Sequence, residues 1–274
     1  MEITSPKVAP ARGLLHQKMS MEHFDLIRIA PSDALKPFVE NYWIIVWDRG
    51  DAPAYTQENL PHPSQHMVID PLGQSGLFGI QTGKFTYTLE NSGRIFGVKF
   101  WPGACHTFLN QSASVLTDSF LPIENAFDAS TQELEQSLLD QNDPSGMGRL
   151  VEGLLQTKEP ILCDKAIEAR EFVALIAQTS EIVSLAQLAK STGKNTRYLQ
   201  RLFETYIGIN PKWVIDRYRM LDAVDALNRG DQISLTSLAH DLGYFDQAHF
   251  TKMFSQLTGH PPSHYLNRSL DSRS

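Results

Sequence analysis

The chain has 274 residues, of which 42% are hydrophobic and 20% charged, with a formal charge of −7; this is enough apolar content for one large core or two ordinary ones. Two distant cysteines, Cys105 and Cys163, exclude a disulfide framework and a thiolate zinc site. No apolar run approaches the roughly 18 residues of a membrane span, and the start lacks the layout of a signal peptide, so a soluble, cytoplasmic protein is expected.

Residues 1–20, with Pro and Ser and no clear period, read as a loose tail. From Met21 to about Gln111 the pattern is that of strands: "VENYWIIVWD" (Val39–Asp48), "QHMVID" (Gln65–Asp70), "KFTYTLE" (Lys84–Glu90) and "RIFGVKF" (Arg94–Phe100) are β-branched and aromatic, broken by Pro and Gly turns. Phe85, Tyr87 and Leu89 alternate with Thr86 and Thr88, as in a sheet with one wet face. The period then becomes helical in "TQELEQSLLDQ" (Thr131–Gln141) and "MGRLVEGLLQT" (Met147–Thr157). A boundary is expected near Glu159-Pro160, dividing the chain into residues 21–160 and 161–274. Beyond it, Ala169, Phe172, Val173 and Ile176 mark a helix expected to pack beneath the first of the helical units of the C-terminal part.

The last ninety residues contain a repeat. "SLAQLAKSTG" (Ser184–Gly193) matches "SLTSLAHDLG" (Ser234–Gly243), and "NTRYLQRLFETYIGINP" (Asn195–Pro211) matches "DQAHFTKMFSQLTGHPP" (Asp246–Pro262). Each copy reads as a short helix, a glycine turn and a second helix opened by an N-cap, Asn195 or Asp246. The second helices bury Leu199, Leu202, Phe203 and Tyr206, or Phe250, Met253, Phe254 and Leu257. Their other faces present Arg197, Gln200 and Arg201 in copy one, and Gln247, Ala248, His249, Thr251 and Lys252 in copy two. Arg pairs with guanine O6 and N7, Gln with adenine N6 and N7, Thr with a thymine methyl, and a small Ala lets the backbone approach a base edge. One such face would pass for a solvated surface; two in tandem point to DNA. "PKWVIDRYRMLDAVDAL" (Pro211–Leu227) is a rod joining them, with Arg217, Arg219 and Arg229 as candidate phosphate contacts beside Asn195 and Asp246 at the helix starts.

Charge does not oppose this reading. From Lys165 onward there are 13 Lys and Arg against 11 Asp and Glu, a balance of +2; before it there are 11 against 20, a balance of −9.

These residues resemble the DNA-binding domain of the AraC/XylS family of bacterial transcription regulators over about Leu185 to Leu266. Gly243, Phe250, Phe254, Gly259, Pro262 and Tyr265 stand where the family signature has them. The resemblance implies two helix-turn-helix units joined by a long helix, with base-facing roles for the residues just named. Phe245 departs from it, standing where the family often has a small polar residue. "LPHPSQHMVID" resembles a little-characterised N-terminal group of the same family. The expected fold class is therefore α+β: a β-barrel-like, cupin-type N-terminal domain with flanking helices, and an all-α C-terminal domain. The expected partners are double-stranded DNA, a small-molecule effector and RNA polymerase, with a homodimer as a further expectation and no membrane. Trp43, Trp47, His66, Phe96 and Phe100, with Trp101, are candidates to line an effector cavity.

An alternative is a metal-dependent cupin-like enzyme tethered to DNA, using His62, His66, Asp70 and His106. Residues four apart in a strand lie about 13 Å apart, too far to share one ion unless the chain bends at Pro63. No GxSxG, HExxH or GxGxxG is present. "GIQTGKF" (Gly79–Phe85) misses the phosphate-loop pattern at its first and last positions. No catalytic residue, metal or cofactor is assigned.

Overall fold

The computed structural model describes residues 12–15, 20–109, 111–229 and 234–265. In the N-terminal half, β2 (Val39–Asp48) and β7 (Ser92–Phe100) pair antiparallel, Tyr42 opposite Val98 and Ile44 opposite Phe96. With β1 (Asp25–Ile29), β4 (His66–Ile69), β5 (Gly76–Phe78) and β8 (Phe120–Pro122) they make a six-stranded antiparallel sheet in the order β1-β2-β7-β4-β5-β8. A separate ribbon pairs β3 (Tyr55–Asn59) with β6 (Phe85–Leu89). Alternation gives the sheet two buried faces. One holds Tyr42, Ile44, Met67, Phe96, Val98 and Phe100 beneath α1 (Ile123–Phe127), α2 (Thr131–Leu139) and α3 (Pro144–Gln156). The other holds Trp47 and Ile95 against Leu89 of the ribbon. The β-rich half expected from the residues is present, as a six-stranded sheet and a separate ribbon, and short β1, β3, β5 and β8 are additions that the pattern did not reveal.

In the helical half, α4 (Asp164–Gln178) lies under the first helix-turn-helix, formed by α5 (Leu185–Thr192) and α6 (Thr196–Leu202). The connecting helix α7 (Pro211–Arg229) is ~28 Å long at 1.5 Å per residue. The second unit is α8 (Leu235–Asp241) and α9 (Gln247–Thr258). α7 serves two cores in turn: Val214 and Ile215 pack with Ala169, Val173, Leu188, Leu199 and Phe203. Further along, Leu221, Val224 and Leu227 pack with Leu238, Phe250 and Phe254. Residues 230–233, just beyond the rod, and Leu266, where the family resemblance ends, lie outside the described residues.

α6 does not end at Leu202; it widens into a π turn, Phe203–Ile207, closed by Gly208 at φ 94°. A Cβ on Gly208 would sit 2.9 Å from the Ala113 carbonyl oxygen of the N-terminal half. Gly208→Ala should therefore cost about 1–2 kcal/mol in chemical unfolding, from left-handed backbone strain and the backbone contact together.

The two halves meet along a seam of hydrogen bonds. Gln65 Nε2 donates to the Ile207 carbonyl at 2.5 Å, Ser112 Oγ to the Glu204 carbonyl at 3.1 Å, and Thr117 Oγ1 to that of Gly208. Arg217 of α7 donates to the Thr82 carbonyl at 2.7 Å, and Lys84 Nζ reaches the Thr258 carbonyl at 3.4 Å. The expectation of a loose tail is corrected where it can be read. Arg12 pairs with Asp222 at 2.6 Å and Asp225 at 2.5 Å, and Leu15 is buried with Leu60 in the second helical core. Apolar burial and two carboxylates hold this segment, which composition alone did not reveal. Residues 1–11 and 16–19 of that tail lie outside the described residues.

Candidate nucleic-acid interface

Each recognition helix starts on a side-chain cap. Asn195 Oδ1 accepts from the Tyr198 amide at 2.8 Å, and Asp246 Oδ1 from the His249 amide at 2.7 Å. Their side-chain oxygens are thus engaged in capping, so any phosphate contact there falls to the free backbone N–H groups of the helix start. The helices before them are capped in the same manner by Ser184 and Ser234. In the first, Gln187 Oε1 also accepts from the Val183 amide at 3.0 Å.

Capping and burial of the apolar stripe settle which side chains face water. Leu199, Leu202, Phe250 and Phe254 are buried, so Arg197, Gln200 and Arg201 stand exposed on α6, and Gln247, Ala248, His249 and Lys252 on α9. Thr251 is half-buried, and Gln247 Oε1 accepts from Thr236 Oγ1 at 2.7 Å. Among the described residues, every member of the two sets but Thr251 is exposed.

The expected phosphate contacts divide differently. Arg217 is 2% exposed, its guanidinium 4.3 Å over the Trp213 ring and bonded to Thr82. Burial lowers its pKa to about 10. Arg219 donates through Nε to the Leu242 carbonyl at 2.7 Å, and its guanidinium lies 3.8 Å over the Tyr244 ring. Both arginines hold the protein together, because α7 is covered on more sides than its helical spacing suggests; neither reaches outward as expected. Arg229 is exposed. Cations that the sequence pattern does not single out face outward beside α6. Lys190 and Lys194 are exposed, and Lys194 pairs with Glu168 at 2.7 Å. Lys165 donates to the Tyr198 hydroxyl at 2.6 Å. The signal for Lys194 is its place in the turn just before the N-cap.

The expected effector cavity is not assembled. Trp43, Trp47 and His66 lie on the ribbon side of the sheet, Trp43 Nε1 donating to His66 Nδ1 at 3.2 Å and Trp47 Nε1 to the Glu90 carbonyl at 3.0 Å. Phe96 and Phe100 lie on the opposite face, under the helices. Strand alternation separates the two groups. The void beside Phe96, lined also by Ile69, Arg94, Leu138 and Met147, measures ≈10 Å³, about one water. Trp101 is taken up by Lys36 and by Arg170, 4.0 Å over its ring.

The residues of the enzyme alternative are likewise engaged apart. His62 Nε2 meets the Arg12 carbonyl at 3.1 Å, Asp70 accepts from Tyr87 at 2.9 Å, and the His106 ring lies 4.5 Å from that of Tyr206. Among the described residues no group of three or more His, Cys, Asp or Glu is placed to hold a metal ion. Among them, too, no helix is long and apolar enough to cross a membrane.

Known proteins share parts of this arrangement. Residues 188–268 match a family model described as a helix-turn-helix domain, and residues 27–122 match a domain of unknown function, DUF6597. The chain is similar to the transcriptional activator RhaS of Pectobacterium carotovorum, 31% identical over 83 residues, which is 30% of this chain and 29% of that protein. It is also similar to the raffinose operon regulatory protein RafR of Pediococcus pentosaceus, 34% identical over 68 residues, 25% of this chain and 24% of that one. The structure of ToxT from Vibrio cholerae O395 aligns over 89% of this chain and 97% of its own, at 12% identity and a TM-score of 0.40, too loose a likeness to carry an inference. The C-terminal third holds two helix-turn-helix units in tandem, joined to a β-rich N-terminal half, the arrangement that the resemblance to AraC/XylS regulators implies. The matched segments span about 30% or less of these two curated relatives' lengths.

Proposed function

We propose that this protein is a sequence-specific, DNA-binding transcription regulator whose two recognition helices read adjacent segments of the major groove. One observation carries the reading: two capped helices at the ends of a common rod each turn a polar, uncovered face outward. Arg197, Gln200 and Arg201 supply donors suited to purine edges, while Lys165 and Lys194, both at Tyr198 of the same helix, and the exposed Lys190 of α5 supply charge for the phosphates. The proposal takes residues 161–274 as the DNA-binding part and residues 21–160 as the part that senses a small molecule or pairs subunits, in the cytoplasm. RNA polymerase and a second copy of the chain are the further partners of this reading. It is supported by the seam that joins the N-terminal half to both helix-turn-helix units and to α7. An effector acts through such a seam only by binding one arrangement of it more tightly than another.

Selection of bound duplexes from a random pool tests the reading. Arg201→Ala is expected to cost about 1–3 kcal/mol of specific binding and to relax preference at one base position. Lys194→Ala should weaken all duplexes alike and flatten the salt dependence by about one counterion. A chain that shows no preference among duplexes at moderate salt would overturn the proposal.

A further inference from the structure

The two helix-turn-helix units are unequal. From Ser184 to Ile209 the chain carries four Lys or Arg and one Glu; from Ser234 to His260 it carries one Lys and two Asp. The first unit can hold phosphates by charge, and the second cannot do so to the same degree. At the position just before the N-cap, the first unit has Lys194 and the second has Phe245. Phe245 is 96% exposed, more than any other large apolar side chain described. Its exposure is imposed by a fixed turn. Gly243 takes φ 72°, and the Tyr244 amide donates to the Ala239 carbonyl at 2.9 Å. Tyr244 is buried beneath Arg219, and Asp246 is held as the cap. With both neighbours anchored, the ring of Phe245 is presented outward at the start of α9, beside the exposed Gln247 and Ala248.

We propose that Phe245 is a specificity-determining residue that reads thymine through its C5 methyl group, the apolar feature of the major groove. The inference rests on the DNA-binding reading above. The residues at the start of a recognition helix are those that approach base edges. An aromatic ring there makes no charge-assisted bond to phosphate, and it removes its own surface and the methyl's from water together. Thymine selectivity then compensates in the second unit for the cations it lacks, while the first unit supplies most of the salt-dependent attraction.

The test uses the full-length chain and its best duplex from the random pool, together with duplexes in which uracil replaces thymine one position at a time, removing only the methyl. For the parent, one substitution in the second half of the site should weaken binding about fourfold, the value of one buried methyl group. For Phe245→Ser, that same substitution should have no effect, and the thymine preference at that position should fade from the selected pool. Because the side chain is exposed, the variant should melt as the parent does. A Phe245→Ser chain that keeps the parent's thymine preference and uracil sensitivity overturns the proposal while leaving DNA recognition intact. So does a uniform loss across sequences, which would mean a sugar-backbone contact, or a changed oligomeric state with unchanged base preference, which would mean a protein partner. If the parent selects no sequence at all, the DNA-binding reading itself fails.

Discussion

Replacing Arg217 with alanine should lower the stability of the chain by about 2–4 kcal/mol, the range for deleting a large buried side chain. The Arg217 stem and guanidinium are enclosed, over Trp213 and against the Thr82 carbonyl. Truncation would empty that space and leave Thr82 without this donor, while loosening the hold of α7 on the N-terminal half. Among the described residues no carboxylate forms an ion pair with Arg217, and burial depresses its pKa, so the charge itself opposes folding. Arg217→Met keeps most of the volume and sheds the charge; it should therefore stay within about 1 kcal/mol of the parent. Urea unfolding of both variants separates packing from charge. An alanine variant as stable as the parent would show that the seam does not form in solution.

Acidification is expected to have an effect of similar size. His66 lies in β4 opposite Lys99 of β7, its Nδ1 taken by Trp43. Burial first, then Lys99 and Arg28, hold its pKa down at about 3. Lys99 is itself paired with Glu40 at 2.8 Å, which only partly offsets that field. The folded state keeps the ring neutral, whereas the unfolded chain takes up a proton near 6.5. The stabilisation is therefore complete above about pH 6.5 and is lost as pH falls from there towards 3. At ~1.4 kcal/mol per unit, the loss from His66 alone reaches about 3 kcal/mol at roughly pH 4.5. His62, pushed down mainly by burial and then by Lys99, adds in the same direction. A His66→Gln chain keeps an oxygen for Trp43 and cannot titrate, so its urea midpoint should fall less steeply between about pH 7 and 4.5. Parallel curves for parent and variant would assign the acid sensitivity to other groups.

These two residues also mark the reach of local pattern. Arg217 stands on the expected helix, in helical spacing with Trp213, Leu221 and Val224, yet by residue type it and Arg219 read as cations for phosphate. Their burial depends on Thr82, 135 residues away, and on Leu242 and Tyr244 in the second unit. His66 and Trp43 group with Phe96 and Phe100 by type alone, since all are large rings within β-patterned runs. The alternation of β2 and β7 assigns the two pairs to opposite faces, and only the covering layers reveal what each face touches. By contrast, β2 is legible to the residue at both ends, and α7 at its start, since Val39–Asp48 and Pro211 carry their signals within a few positions. The caps Asn195 and Asp246 are legible for the same reason, as each bonds an amide three residues on.

By itself, then, the sequence determined the repeated helix-turn-helix, the glycine turns, the caps and the outward set from Arg197 to Lys252. All of these arise from interactions among neighbours along a helix or across one turn. Only the tertiary structure decided which cations face outward, where the aromatics of the sheet point, and that Arg12 docks on α7 while Leu15 joins the second helical core. Those outcomes depend on desolvation by segments distant in the chain. Residue type and period carry no record of what will lie opposite.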